Sequence, residues 1–347
     1  MYRVRIHGAP NAKARVMIGN LLKYEDYKKL ISFDSTDKFI DYIYNYTHYR
    51  EALEENNYNI ENTEISIKKY FIKSLEKLYY FYFDEYRDFF KALLMRYEVE
   101  DIKIFLRVFT RKESKAVGQQ HYIYSDLFKN ISYEKIKKAD TLDEFINSLK
   151  DTIYYKELMK YINEDRDKML FYMEMALDRI YFTKLYRTTL KLKKKDREKI
   201  LEMLGINIDL LNIQWIYRGR KYFNISSEEL FNLSLDMGYK YDLKKIKDLC
   251  YMSLDNFRKH INNSQYNEIF KEEEYLMERS YERYLYNMLN DYIKTSGLSI
   301  TIPVVYIFKI EYEMRDLFSI LEGIKYGVEN IEKFLVININ RGEKIGN

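Results

Sequence analysis

The sequence predicts an all-α fold assembled from three tandem copies of one helical unit. Three observations carry that prediction: a composition nearly free of helix breakers, a helix-start motif that occurs three times, and a striped helical motif that also occurs three times, always after the first. Among 347 residues there are only two prolines and eleven glycines, so few positions forbid helix and few offer turn chemistry. With 47% hydrophobic and 32% charged residues of mixed sign, the chain reads as a folded, water-soluble protein with a substantial core. Many of its 37 tyrosines are expected to sit half buried, ring inward and hydroxyl outward.

The helix-start motif comes first in each copy. Segment 27–53 lies on segment 133–159 without a gap, pairing Tyr27 with Tyr133, Asp34 with Asp140, Asp37 with Asp143, Phe39 with Phe145 and Tyr49 with Tyr155. A shorter third version gives the series Ser35-Thr36-Asp37-Lys38-Phe39, Thr141-Leu142-Asp143-Glu144-Phe145 and Ser253-Leu254-Asp255-Asn256-Phe257. The leading Ser or Thr suits an N-cap, and the Asp two residues on meets the free amides and positive dipole end of the first turn. Phe39 with Ile43, Phe145 with Leu149 and Phe257 with Ile261 are then i,i+4 pairs on one buried face.

The striped motif closes each copy, beginning at Glu98, Asp209 and Glu313. Apolar residues stand one, four, seven and eight positions after each of these acids, and an acid or amide (Asp101, Asn212, Asp316) stands at position three, a helical stripe with polar residues one turn apart. Between the two motifs lies a weaker acid-base pattern: Leu75-Glu76-Lys77-Leu78, Leu177-Asp178-Arg179-Ile180 and Tyr281-Glu282-Arg283-Tyr284. Fixed order and a spacing close to 108 residues make the repeat, which divides the chain into units 1–115, 116–225 and 226–347, with boundaries where helical periodicity lapses, at Arg111 to Gln120 and Arg218 to Ser227. Gly297 marks a further break, and Pro303 suits the first turn of the last long helix, so Ile300 to Ile307 is read as helix rather than strand.

Other signals bound the function. A single cysteine, Cys250, excludes internal disulfides and multi-cysteine metal sites and fits a reducing compartment. The first residues lack the apolar run and cleavage pattern of a signal peptide. The longest apolar stretch, Leu298 to Phe308, is about half of what spans a bilayer, so membrane association is expected only through a partner. A net charge of +4 is too balanced to imply nucleic-acid binding, and the basic run Lys191 to Lys199, broken by Asp196 and Glu198, reads as a solvated helix face.

Several chemistries can be weighed and set aside. Asp84-Glu85-Tyr86-Arg87-Asp88 has the spacing of one acidic magnesium-diphosphate motif but lacks its pair, and reads as an exposed ion-paired face. Ser74-Leu75-Glu76-Lys77 has Ser-x-x-Lys spacing without the companion motifs of that chemistry, and reads as ordinary helix surface. The histidines His7, His48, His121 and His260 show no metal-ligand spacing, with His48 and His260 read as partly buried polar fillers. No phosphate-cradling glycine loop occurs, and Gly323 and Gly327 read as a helix end. Arg107 and Arg218 close equivalent helices, where cations complement the dipole; pairing with acids such as Glu98 and Asp209 is expected. No cofactor is called for.

Residues Asn11-Ala12-Lys13-Ala14-Arg15-Val16-Met17-Ile18-Gly19-Asn20-Leu21-Leu22 resemble the N-terminal helix of the C-type subunits of the V/A-type rotary ATPases. The likeness continues in Leu94 to Ile102 with Arg107, in Ala176 to Phe182, in Ile208 to Arg218 and from Pro303 through Gly323, covering roughly residues 11 to 335. One departure is Glu322, where the family usually carries Arg before Gly323. The resemblance implies a funnel of three similar helical bundles in pseudo-threefold arrangement, homologous to the eukaryotic d-type subunits and without an active site of its own. It further implies a rotor component on the cytoplasmic face of the membrane that receives the D and F proteins of the shaft and rests on the proteolipid ring, coupling ATP turnover to proton or sodium transport. The repeat-signature residues then serve as structural or partner contacts: Asp37, Phe39, Asp143, Phe145, Asp255, Phe257, Glu98, Arg107, Asp209, Arg218 and Glu313. The rival reading is a helical-repeat scaffold for a peptide or RNA, whose units usually run only about 30 to 50 residues.

Overall fold

A computed structural model describes residues 2–53, 59–111 and 130–337. Of these residues 77% are helical and none is in a strand, so the fold is all-α. The α-helices run α1 (Tyr2–Gly19), α2 (Tyr24–Ile31), α3 (Thr36–Tyr46), α4 (Ile60–Tyr79), α5 (Asp84–Arg111), α6 (Tyr133–Lys138), α7 (Leu142–Ser148), α8 (Tyr155–Leu158), α9 (Arg166–Thr189), α10 (Lys194–Tyr222), α11 (Ser227–Leu233), α12 (Leu243–Tyr251), α13 (Leu254–Asn262), α14 (Met277–Thr295) and α15 (Thr301–Tyr326).

The predicted helix starts are real caps. Ser35 Oγ accepts from the Lys38 amide at 3.4 Å, Thr141 Oγ1 from the Glu144 amide at 3.2 Å, and Ser253 Oγ from the Asn256 amide at 3.3 Å, each satisfying one amide that the first turn leaves open. Phe39, Ile43, Phe145, Leu149, Phe257 and Ile261 behind them are all fully buried. The three striped helices α5, α10 and α15 are the longest elements, at 28, 29 and 26 residues, about 40 Å each at the helical rise. All twelve of their stripe positions are buried.

The chain forms two compact units, one of residues 83–260 and one joining 1–82 to 261–347. In the first, α5 packs along α9, and α10 packs on α9, α11 and α12. In the second, α15 is the central helix, buried through most of its length between α1, α4 and α14. The earliest and latest parts of the sequence thus share one core.

Glycine placement follows contact. Gly205 faces the backbone of Tyr239, and a Cβ there would lie 2.9 Å from its amide nitrogen; a Cβ on Gly238 would lie 2.1 Å from Asp209 Oδ1. Gly327 ends α15 in the left-handed conformation with φ 63°, whereas Gly323, also read as a helix end, lies inside α15, where Ile331 packs against its bare Cα. Pro303 does sit in the first turn of α15.

Among the described residues many tyrosines, Tyr42 and Tyr155 among them, are half buried as read, and eight, Tyr49 and Tyr154 among them, are wholly buried. Three further sequence readings need correction. Ser74 faces the core beside Tyr70 and Tyr306 instead of the surface, and His260 is exposed. Finally, Tyr86 in the acidic stretch is buried and donates to Asp196 at 2.7 Å, while Arg87 lies over the Phe83 ring at 4.8 Å.

Candidate functional site

The leading acid of each striped helix is buried near mid-helix: Glu98 in α5, Asp209 in α10 and Glu313 in α15. Each carboxylate accepts from the backbone of a segment that directly precedes another helix. The Glu313 Oε2 atom accepts from the Leu22 amide at 2.6 Å, just before α2. Asp209 takes both the Lys240 amide at 2.7 Å and the Tyr241 amide at 3.2 Å, just before α12. Glu98 takes the Asn130 amide, and the Asn130 side chain at 3.0 Å, just before α6. A buried carboxylate is costly unless its lone pairs are filled, and amides from these connecting segments fill them here.

One turn further on, position three repeats the device. Asp316 Oδ1 and Oδ2 accept from the Val336 and Ile337 amides at 2.7 and 3.0 Å. Asn212 exchanges two bonds with Leu235, donating to its carbonyl at 2.7 Å and accepting from its amide at 3.0 Å. Asp101 accepts from the Tyr133 hydroxyl. Burial pushes the Asp316 carboxyl up to about 7, against the pull of the two amides.

Tyrosine hydroxyls join the Glu313 and Glu98 clamps. Tyr49 Oη donates to Glu313 Oε1 at 2.9 Å and Tyr154 Oη donates to Glu98 Oε1 at 2.6 Å. His48 Nε2 also stands 3.2 Å from Glu313 Oε1. Burial and the facing carboxylates raise both hydroxyls far above their ordinary range, so each stays a donor. The structural partner of Tyr49 is therefore Tyr154, not Tyr155, because the second copy is one residue shorter between Leu149 and Thr152. The local turn proves the register: the Tyr49 amide donates to Thr47 Oγ1 at 3.2 Å, the Tyr154 amide to Thr152 Oγ1 at 3.2 Å and the Tyr266 amide to Ser264 Oγ at 3.0 Å.

Among the remaining signature residues, Asp37, Asp143 and Asp255 are exposed in their first helical turns. Arg107 does bond within the chain, to Glu174 of α9 at 2.6 Å. Arg218, also four residues from its helix end, forms no hydrogen bond or ion pair among the described residues and is half exposed. A buried lysine that sequence reasoning missed, Lys103, reaches Asp178 of α9 at 2.5 Å and Glu100 at 3.2 Å. Burial pulls its ammonium down, yet the adjoining carboxylates outweigh that and hold it above the usual lysine range.

The carboxylates are thus spread along three helices and consumed as acceptors. Among the described residues no three His, Cys, Asp or Glu side chains are grouped to hold a metal ion, and no helix is long and apolar enough to cross a membrane. The sequence model of the family described as ATP synthase (C/AC39) subunit matches residues 10–334. The chain belongs to that family. It is a V-type ATP synthase C/AC39 subunit, part of a rotary ATPase. Among curated proteins, no individual sequence matches the chain. In this C/AC39 subunit Glu98, Asp209 and Glu313 mark where the long helices are fastened to the segments that run beside them.

Proposed function

We propose that this C/AC39 subunit is a non-catalytic rotor part of the central stalk. It joins the D and F proteins of the shaft to the proteolipid ring, from the cytoplasmic face of the membrane, and couples ATP turnover to proton or sodium transport. The family match across residues 10–334 carries the reading. Mechanics supports it: a coupler must pass torque without yielding, and α5, α10 and α15 are each fastened near mid-length by two buried polar side chains one turn apart. Packed helices with filled polar contacts deform little.

In this reading the chain comprises three repeats, 1–115, 116–225 and 226–347, arranged as a pseudo-threefold funnel. Asp37, Asp143, Asp255 and Arg218, exposed or half exposed, are the signature residues placed to meet partners, while Phe39, Phe145, Phe257, Glu98, Asp209 and Glu313 hold the fold. The membrane is met only through the ring, and nucleic acid is no partner.

Affinity purification of the tagged chain from native membranes tests this. Recovery of shaft and ring proteins is expected. Recovery of RNA or a peptide ligand with no other ATPase component would overturn the proposal in favour of a helical-repeat scaffold.

A further inference from the structure

Four residues before each leading acid the three copies differ in kind. The first has buried Leu94, the second has Gly205, on which the Tyr239 backbone lies, and the third has Lys309. Two copies fill this place with apolar side chain or backbone. The third puts a cation there, only 7% exposed, and leaves a cavity of about 240 Å³ beside it.

The cavity is lined by Ile18, Leu21, Leu22, Ile337, Tyr286 and Lys309, with Lys23 and Glu313 contributing charge. Lys309 Nζ has one hydrogen-bond partner, the Tyr286 hydroxyl at 3.1 Å, and lies 4.2 Å from the centre of that ring. An ammonium has three donors, so two remain for whatever enters. Glu313, one turn on, forms no ion pair with it among the described residues; its oxygens take the Leu22 amide and the Tyr49 hydroxyl instead. Burial draws the Lys309 amine down to about 8, with Glu313 opposing, as expected for a cation that is under-compensated where it stands.

We propose that this cavity is a binding site for a small aliphatic monocarboxylate, its carboxylate on Lys309 and its alkyl part against Ile18, Leu21, Leu22 and Ile337. Charge selects the class: Lys309 and Lys23 against Glu313 leave one net positive charge, which matches a monoanion better than doubly charged phosphate. Size limits it further, since about 240 Å³ is below the roughly 300 Å³ at which drug-sized sites begin. The proposal is independent of the chain's place in a rotor.

Thermal unfolding and calorimetric titration of the full chain with acetate, isobutyrate and inorganic phosphate, at ionic strength matched with sodium chloride, test it. Isobutyrate is expected to raise Tm in a saturable way and to do so more than phosphate. Lys309→Leu, which installs the residue of the first copy and so a side chain the fold already accepts, should weaken carboxylate binding at least about tenfold, the loss of a charge-assisted hydrogen bond. Lys309→Gln should weaken it similarly, and circular dichroism reports whether either variant is folded. The proposal is overturned by absence of any carboxylate response in the unsubstituted chain, by an equal response in folded Lys309→Leu, or by a larger response to phosphate than to any carboxylate.

Discussion

Glu313 and Tyr49 are 264 residues apart in sequence and 2.9 Å apart in space, hydroxyl to carboxylate, both fully enclosed. The bond fastens the last long helix to the first helix-start segment. Its counterpart, Tyr154 to Glu98 at 2.6 Å, fastens the first long helix to the second such segment.

Removing these hydroxyls leaves a buried carboxylate one donor short. Tyr49→Phe and Tyr154→Phe should each lower the free energy of unfolding by about 1.5–3 kcal/mol, the usual range for a hydrogen bond to a charged group. Tyr155→Phe, at a half-exposed position whose hydroxyl is 3.5 Å from Asn147, should change it by less than about 0.5 kcal/mol. Urea unfolding of the three variants checks both the clamp and the one-residue register shift.

Asp316 gives stability a pH dependence of definite sign. Its carboxyl is raised from 3.8 to about 7 on folding, so the folded chain holds a proton that the unfolded chain releases between those values. The contribution of Asp316 therefore worsens as pH rises from about 4 to 7 and is constant above. Asn212 shows that an amide fits the same place, bonding both ways to Leu235. Asp316→Asn should flatten this part of the curve, so that the variant gains on the parent as pH rises; Tm of both proteins measured from pH 4 to 8 checks the difference.

Gly238 makes room for the Asp209 clamp. Gly238→Ala would set a Cβ into Asp209 Oδ1 and the Tyr241 carbonyl and should cost about 1–3 kcal/mol through overpacking. Gly19→Ala, where nothing lies within 4 Å of the added carbon, should be neutral or stabilising by up to about 1 kcal/mol. Differential scanning calorimetry of the pair separates crowding from a general intolerance of substitution.

The two helix-end arginines should separate stability from assembly. Arg107→Ala removes a partly exposed ion pair to Glu174 and should cost under about 1 kcal/mol. Arg218→Ala breaks no hydrogen bond or ion pair among the described residues, so its unfolding midpoint should be unchanged. If Arg218 meets a partner protein, the same variant will recover less shaft or ring protein in affinity purification, and undiminished recovery would confine Arg218 to a passive surface role.

The helices were legible because their causes are local. A Ser or Thr cap, an Asp in the first turn and a Phe four residues before an aliphatic partner lie within one short window, and all three copies fold as read. The stripes were legible for the same reason, down to the polar residue at position three. What the polar stripe residues bind was not legible, since Glu313 finds Leu22 and Tyr49 from the opposite end of the chain, and no periodicity encodes that. The wholly buried tyrosines follow from this: the buried acids that the Tyr49 and Tyr154 hydroxyls reach are themselves invisible as acceptors in the sequence. Arg107 finds an acid within the chain, as read, but that acid, Glu174, lies on α9, outside the striped motif.

Because residues 1–82 share a core with residues 261–347, synthesis and folding cannot proceed in the same order. Residues 83–260 can settle as they leave the ribosome, but residues 1–82 emerge well before α15, the helix they pack on. That earlier segment must wait through the translation of residues 83–260, its apolar faces open, until Glu313 arrives to take the Leu22 amide.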